Sequence, residues 1–380
     1  MKTPMTGAVA LMDAAFDYAA LQQQWLTLSA TACGSSSFLR WPWIGNWLSH
    51  MPAHTTGYCV CVYHEETLVG LALLSLQMQR QHGIFKRRTL ALHEYLAAGF
   101  NWMIEYNGVL GGCRSALVEQ QVIAALLRSK IGWDEIRVSG VTGASAFLDH
   151  RFLASQGLSS RVISQSTALY IDLDKIRAAG GDFLASLTKK SRYKIRSYQK
   201  QLAPLGPIQV AQAQNVEEAQ AYFYRLKVLH QHYWRSRGEP GSFSSQRWES
   251  FHSGVIRAGL LTGEVQLLKI GVGDLELGYL YSLVHNGHVY LIQSGYNYAA
   301  FAEAHPGYLS LVAAIEHNLH QGARRFDFLA GDTQYKRMLA QQEEPLYWVN
   351  IQKSQLKFKI EDGLRQIKRK ILRQSADVSF

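Results

Sequence analysis

Residues 288–337 constrain the fold of this chain more than any other stretch. They read HVYLIQSGYNYAAFAEAHPGYLSLVAAIEHNLHQGARRFDFLAGDTQYKR. The Asn286-Gly287 turn precedes an apolar run at 289–292, which predicts a strand. Pro306 suits the first position of a helix, where its missing N–H would go unpaired anyway. Apolar spacing predicts that helix over 308–320, and Gly322 fits the stop just beyond it. Residues 324–329 predict a second strand, and a polar cluster, Asp332, Tyr335 and Lys336, follows at once. Two strands joined by a helix, with polar groups at the strand exits, is how many α/β sheets build a ligand site.

An earlier stretch repeats this order. β-rich runs at 58–63 and 68–77 flank His64-Glu65-Glu66 and predict a hairpin. Runs at 264–272 and 275–284 flank Gly273-Asp274 and predict another. Each second strand opens on an apolar–glycine step, Leu68-Val69-Gly70 in one and Leu277-Gly278-Tyr279 in the other. A strand near 89–93, a helix near 116–129 and a strand at 135–139 complete the first copy. The chain reads as one α/β pattern used twice, with expected units 1–165 and 166–350 and a basic tail at 351–380. Residues 153–173 form the expected crossover, with strand character from 161 to 173. Helices are predicted at 183–202, 216–236 and 245–258, and a Gly/Pro/Ser-rich loop at 236–245.

The net charge of +10 is concentrated. Lys189, Lys190, Arg192, Lys194, Arg196 and Lys200 form a block without an acid. Arg192, Arg196 and Lys200 fall on one helix face at i, i+4, where like charges cost roughly 0.2–0.5 kcal/mol per pair. That face either finds salt bridges elsewhere or holds an anion. Suitable anions are a nucleotide cofactor, tRNA or lipid headgroups; DNA is not expected. The tail repeats the pattern, with Ile360, Leu364, Ile367 and Ile371 on one face and basic residues around it. It fits an anionic membrane surface and the protein's own core equally well.

No apolar run reaches the roughly 18–20 residues that span a bilayer, and no signal peptide is evident. Cys33, Cys59, Cys61 and Cys113 lack C-x-x-C spacing; buried free thiols in a reducing cytoplasm are expected. The expected location is cytoplasmic, with peripheral contact at the inner membrane if the tail binds lipid. His230 and His232 lie two apart, on different faces of a helix, so no metal site is expected.

HPG before a helix, a G-x-x-x-FDF strand and G-D-x-x-Y-K together resemble the C-terminal half of the FemAB-like acyltransferases, within the GNAT superfamily. The cellulose-biosynthesis branch, often called CelD-type, is the nearest likeness. LTKKSRYKIRSYQKQL (187–202) resembles the basic helix that opens the family's second half, and SSFLRWPWIGNW (36–47) resembles it weakly near the start. The resemblance implies two tandem GNAT-like α/β halves with mixed, largely antiparallel sheets and a cleft near their junction. It implies N-acyl transfer from an acyl thioester, acyl-CoA in the first instance, to an amine such as an amino sugar, amino acid or lipid amine. Transfer from aminoacyl-tRNA, or a non-catalytic role in an envelope-polysaccharide system, are the alternatives.

Residue chemistry suggests roles, and the resemblance adds that the family's lysine at the Lys336 position is functional. Asp332 takes a proton from the amine, Tyr335 returns one to the leaving thiolate, and Lys336 stabilises an oxyanion or holds a phosphate. If Asp332 and Lys336 share a helical turn, they face the same way. Replacing Lys336 by Ala is expected to abolish transfer and leave the fold intact. Asp327, flanked by Phe326 and Phe328, needs a partner because a lone buried carboxylate is costly; it either forms an ion pair or orients an amine. Glu105, at the matching strand exit of the first copy beside a packed Trp102, is the alternative base. The donor is expected against the backbone of 291–294, including Ser294. His305 and Gly307 stand where GNAT enzymes hold the coenzyme A pyrophosphate, without the usual glycine-rich loop. Arg192 and Arg196 are the candidate phosphate contacts.

Overall fold

The computed structural model describes residues 5–32, 35–81, 85–96, 104–111 and 115–353. The predicted tail helix, Trp102, Cys33 and Cys113 lie outside the described residues. The first unit runs β1 (Met5–Met12), α1 (Tyr18–Thr31), α2 (Trp41–Ser49), β2 (Thr56–His64), β3 (Thr67–Gln81), β4 (Phe85–Leu92), β5 (Leu110–Gly111), α3 (Ser115–Arg128), β6 (Glu135–Thr142), α4 (His150–Ser155) and β7 (Leu158–Asp172). Three helices connect the units: α5 (Leu173–Ala178), α6 (Phe183–Ser186) and α7 (Lys189–Leu202). The second unit runs β8 (Ile208–Gln212), α8 (Val216–Ser236), α9 (Gln246–Gly259), β9 (Val265–Val272), β10 (Leu275–His285), β11 (His288–Tyr296), α10 (Tyr298–Phe301), α11 (Pro306–His320), β12 (Arg325–Ala330), α12 (Gln334–Leu339) and β13 (Gln342–Lys353). The helix expected over 183–202 is broken at Leu187-Thr188, where the Thr188 hydroxyl caps α7 by accepting from Ser191 N–H.

The two units share one order of elements, with the short strand β5 in the place of helix α10, and the match extends to irregularities. Both central hairpins carry a register shift at the apolar–glycine step, between Val62 and Tyr63 opposite Leu68–Gly70 and between Glu276 and Gly278. Each glycine also sits under the unit's main helix. A Cβ on Gly70 would lie 2.1 Å from Val118 of α3, and one on Gly278 would lie 3.0 Å from the Ser310 hydroxyl of α11. The glycines let the helices lie close on the sheet. Gly70→Ala is expected to lower stability by about 1–3 kcal/mol through overpacking, read from the denaturant midpoint. Val118→Ala should restore part of the loss; an unchanged midpoint in Gly70→Ala would mean that α3 moves freely.

Among the described residues the strands join one mixed sheet in the order β1-β2-β3-β4-β6-β13-β7-β12-β11-β10-β9-β8. The last strand of each unit has crossed over. β13 pairs with β6 of the first unit, and β7 pairs with β12 of the second. Residue 165, the expected unit edge, lies inside the exchanged strand β7. On one face a single core joins both units: Trp43 of α2 meets Phe251 of α9 edge-on at 4.9 Å, and Asn46 Nδ2 donates to Phe251 O at 2.6 Å. Trp25, Trp43 and Trp47 are fully buried there, each contributing on the order of 2–3 kcal/mol by removal from water. The other face carries separate cores, under α3 and under α11.

Candidate active site

β11 and β12 are parallel neighbours for three registers only, His288↔Arg325 to Tyr290↔Asp327. They then part. β11 keeps its pairing with β10 as far as Tyr296, and β12 is held from its other side by β7. Each strand thus leaves one polar edge to the opening, and such edges bind whatever supplies donors and acceptors. An extra residue, Ile292, breaks the β10–β11 register at this point and re-aims the backbone beyond it. Ser294 turns both its N–H and its C=O away from β10. Its N–H donates to Gln293 Oε1 at 3.0 Å, and its C=O accepts from the His230 ring at 3.1 Å.

A cavity of about 920 Å³ occupies this mouth. Ser294, Gly307 and Tyr335, expected at the site from sequence, all line it. So do His230, Tyr233 and Arg237, which the sequence reading missed. Their spacing of i, i+3 and i+7, along α8 and its C-cap, is a helical-face signal that was available. Only glycine lets α8 lie against the strand here, since a Cβ on Gly295 would fall 2.3 Å from Leu226 O. His230 is neutral: burial lowers its pKa, Ser242 N–H donates to Nε2, and Nδ1 therefore carries the proton given to Ser294. Tyr335 is pushed up to about 12 by burial, so it stays a phenol at neutral pH. Gly307 admits close approach, but by a tyrosine: a Cβ there would lie 2.7 Å from the Tyr298 hydroxyl, whose ring stacks on Tyr233 at 4.7 Å.

The exit of β12 holds the buried charges. Asp327 is fully buried and saturated. It accepts from Tyr106 OH (2.8 Å) and Arg325 Nε (2.9 Å), and its other oxygen accepts from Leu329 N–H (2.7 Å). Arg325 stacks on Tyr170 with its central carbon 3.5 Å from the ring centre, and also reaches Glu344. Of the two readings open for Asp327, the geometry is that of an ion pair. Lys336 is buried and its Nζ donates to Leu329 O (3.0 Å) and Ala330 O (2.8 Å). Glu105, from the first unit, accepts from Ala330 N–H at 2.7 Å, beside it. Burial lowers the Lys336 pKa, and Glu105 opposes that.

Asp332 departs from expectation. It is exposed and grips Arg337 with both oxygens, at 2.7 and 2.8 Å, because α12 starts only at Gln334 and the i, i+4 geometry with Lys336 does not apply. His305 is a left-handed residue before α11, its ring 4.4 Å from that of Tyr198. Arg192 donates to Ala185 O, and Arg196 is exposed; neither lines the cavity. Among the described residues no three metal-ligating side chains gather. A second, more polar cavity of about 780 Å³ lies between the units, with Tyr106, Glu119, His285, Tyr290, Arg325 and Glu344 in its wall.

Burial raises the Glu105 carboxyl to about 7, from an ordinary value near 4.5. Between these values the unfolded chain loses this proton while the folded chain keeps it, so the contribution to stability falls as pH rises. Glu105→Gln removes that term. From pH 4.5 to 7 the variant should lose roughly 2–3 kcal/mol less stability than the parent, by denaturant titration at several pH values. Parallel curves would mean that Glu105 ionises normally.

Residues 189–337 match the family described as acetyltransferase (GNAT) domain. The second half is therefore an acyltransferase domain, and the repeated unit makes the whole a duplicated GNAT-like fold. No curated protein matches the sequence. Among solved structures the chain is similar to FemX, with 10% identity, 89% of this chain and 96% of that chain covered, and a TM-score of 0.57. It is also similar to a protein of unknown function from Bacteroides thetaiotaomicron (9% identity, 87% and 97% covered, TM-score 0.53). A third is the C-terminal domain of a provisionally named lysylphosphatidylglycerol synthetase from Agrobacterium fabrum (10% identity, 94% and 97% covered, TM-score 0.51). At these identities the likeness is one of fold. No helix among the described residues is long and apolar enough to cross a membrane.

Proposed function

We propose that this chain transfers an acyl group from a thioester, an acyl-CoA, to an amine, with the donor in the opening between β11 and β12. The observation that carries this reading is the three-register pairing that stops at Tyr290↔Asp327, with a cavity of about 920 Å³ at its mouth. The donor carbonyl takes the Ser294 N–H in place of Gln293 Oε1, and orientation along the strand edge supplies much of the rate. The amine nitrogen attacks the thioester carbon, the C–S bond breaks, and the thiolate leaves. Tyr335 gives its phenol proton to the thiolate and recovers one from the new ammonium. The Lys336 charge lies behind the carbonyl pair of β12 and favours the oxyanion. The polar cavity between the units suits the acceptor.

Among the described residues Arg237 is the one cation in the donor cavity wall, and it stands in for the missing glycine-rich loop as the phosphate contact. The exposed basic face of α7 favours a second reading, an aminoacyl-tRNA donor, as does the likeness to FemX. Membership of the cellulose-biosynthesis branch, a role in envelope polysaccharide and a lipid-bound tail rest on sequence motifs and charge alone. Calorimetric titration with acetyl-CoA, a long-chain acyl-CoA and tRNA separates the donors; no binding to any would leave a non-catalytic component. In the donor-bound enzyme Tyr335→Phe should lower kcat about 100-fold with donor affinity retained, measured by thiol release. An unchanged kcat would remove Tyr335 from the chemistry.

A further inference from the structure

The first unit contains the same opening as the second. β4 and β6 are parallel neighbours for three registers, Thr89↔Glu135 to Ala91↔Arg137, and then part. Here the chain fills its own gap. Asn107 Nδ2 donates to Leu92 O of β4 at 3.0 Å, and Asn107 N–H donates to Gly140 O of β6 at 3.2 Å. One residue thus bonds both diverging strands, with its side-chain amide on one and its backbone amide on the other. His93 locks it: Leu73 N–H donates to Nε2 (3.1 Å), so Nδ1–H donates to Asn107 Oδ1 (3.0 Å). The fit is close on the far side too, since a Cβ on Gly140 would lie 2.8 Å from Glu105 Cα.

The two residues before Asn107 reach the other unit. Glu105 accepts from Ala330 N–H and Tyr106 OH donates to Asp327, both on β12. Tyr106 holds a left-handed backbone (φ 49°), and its carbonyl accepts from Ser36 Oγ at 2.8 Å. Such a conformation in a bulky residue persists only where neighbours enforce it.

We propose that Glu105-Tyr106-Asn107 is a built-in plug that seals the first unit's opening and braces the strand that borders the second's. Two consequences follow. The chain binds one acyl donor, not two, although it has two GNAT-like units. Glu105 is a positioning residue: it fixes Ala330, whose carbonyl receives Lys336, without touching the donor. The donor count and the positioning role rest on the acyl-transfer reading; the plug and the brace do not.

Hydrogen exchange read by mass spectrometry tests the brace without any ligand. In Glu105→Ala, exchange across 328–332 should quicken roughly tenfold, the effect of losing one partly buried hydrogen bond, with 265–285 unchanged. Glu105→Gln keeps an acceptor oxygen and should restore the protection, which also keeps the test decisive if the alanine variant folds poorly. In Asn107→Ala, exchange should quicken at 89–92 and 138–142. Unchanged exchange at 328–332 in Glu105→Ala, or no rescue by Glu105→Gln, overturns the brace. Calorimetry with acetyl-CoA on the full chain should give one site; two sites overturn the plug. If no heat appears with acetyl-CoA, a long-chain acyl-CoA or tRNA, the transferase reading fails, and the exchange results still decide the plug.

Discussion

Lys336→Met should lose about 100- to 1,000-fold in transfer rate and about 1–3 kcal/mol in stability together. The rate loss follows from removing a positive charge held behind the opening in a low-dielectric setting, where it is worth far more than in water. The stability loss follows from the hydrogen bonds. Lys336 Nζ donates to Leu329 O and Ala330 O, and methionine leaves both carbonyls, the first of them buried, without that donor. The sequence alone suggested a loss of activity with the fold intact; the burial of Lys336 corrects this. Rate assays should run well below the unfolding transition, beside a denaturant titration. If activity tracks only the folded fraction, Lys336 serves the fold and not the reaction.

Asp327→Ala should be the most destabilising single change at the site, by about 3–5 kcal/mol, because it strands a partly buried partner charge. Arg325 keeps Glu344 but loses the fully buried carboxylate. Leu329 loses more than a hydrogen bond. It holds φ 61°, a left-handed conformation that costs a leucine roughly 1–2 kcal/mol, and its N–H is tied to Asp327 Oδ1 at 2.7 Å. A denaturant midpoint within experimental error of the parent would show that Arg325 and Tyr106 rearrange without cost. Transfer should fall as well, since the carbonyls that receive Lys336 belong to the same turn.

Much of this was legible in one dimension. The Pro306 start, the Gly322 stop and the strands on either side lie where local chemistry puts them, because caps, turns and apolar periodicity act within a few residues. The duplication showed as two apolar–glycine steps, and both proved to be register shifts under a helix. The aromatic run at 36–47 gave no hint of its role; α2 packs against α9, some 200 residues away, and joins both units in one core.

The candidate site divides in the same way. Ser294, Gly307 and Tyr335 meet in one cavity, as residues at the ends of consecutive elements must. Asp332 pairs with Arg337 and not with Lys336 because α12 begins only at Gln334, two residues beyond it. The shared face of His230, Tyr233 and Arg237 was legible in their spacing, but that it lies beside β11 is decided only in space.

By itself the sequence determined the order of elements, their repetition and the polar cluster at the exit of β12, since each depends on contacts between near neighbours in the chain. Only the tertiary structure decided that the terminal strands change sides, that the chain fills one opening with its own residues and not the other, and that Glu105 and Lys336 both hold Ala330. The strand exchange and the Glu105 contact turn on hydrogen bonds between residues more than 100 positions apart, and the filled opening on bonds 14 to 33 positions apart; the competition among possible partners for a strand edge leaves no local trace.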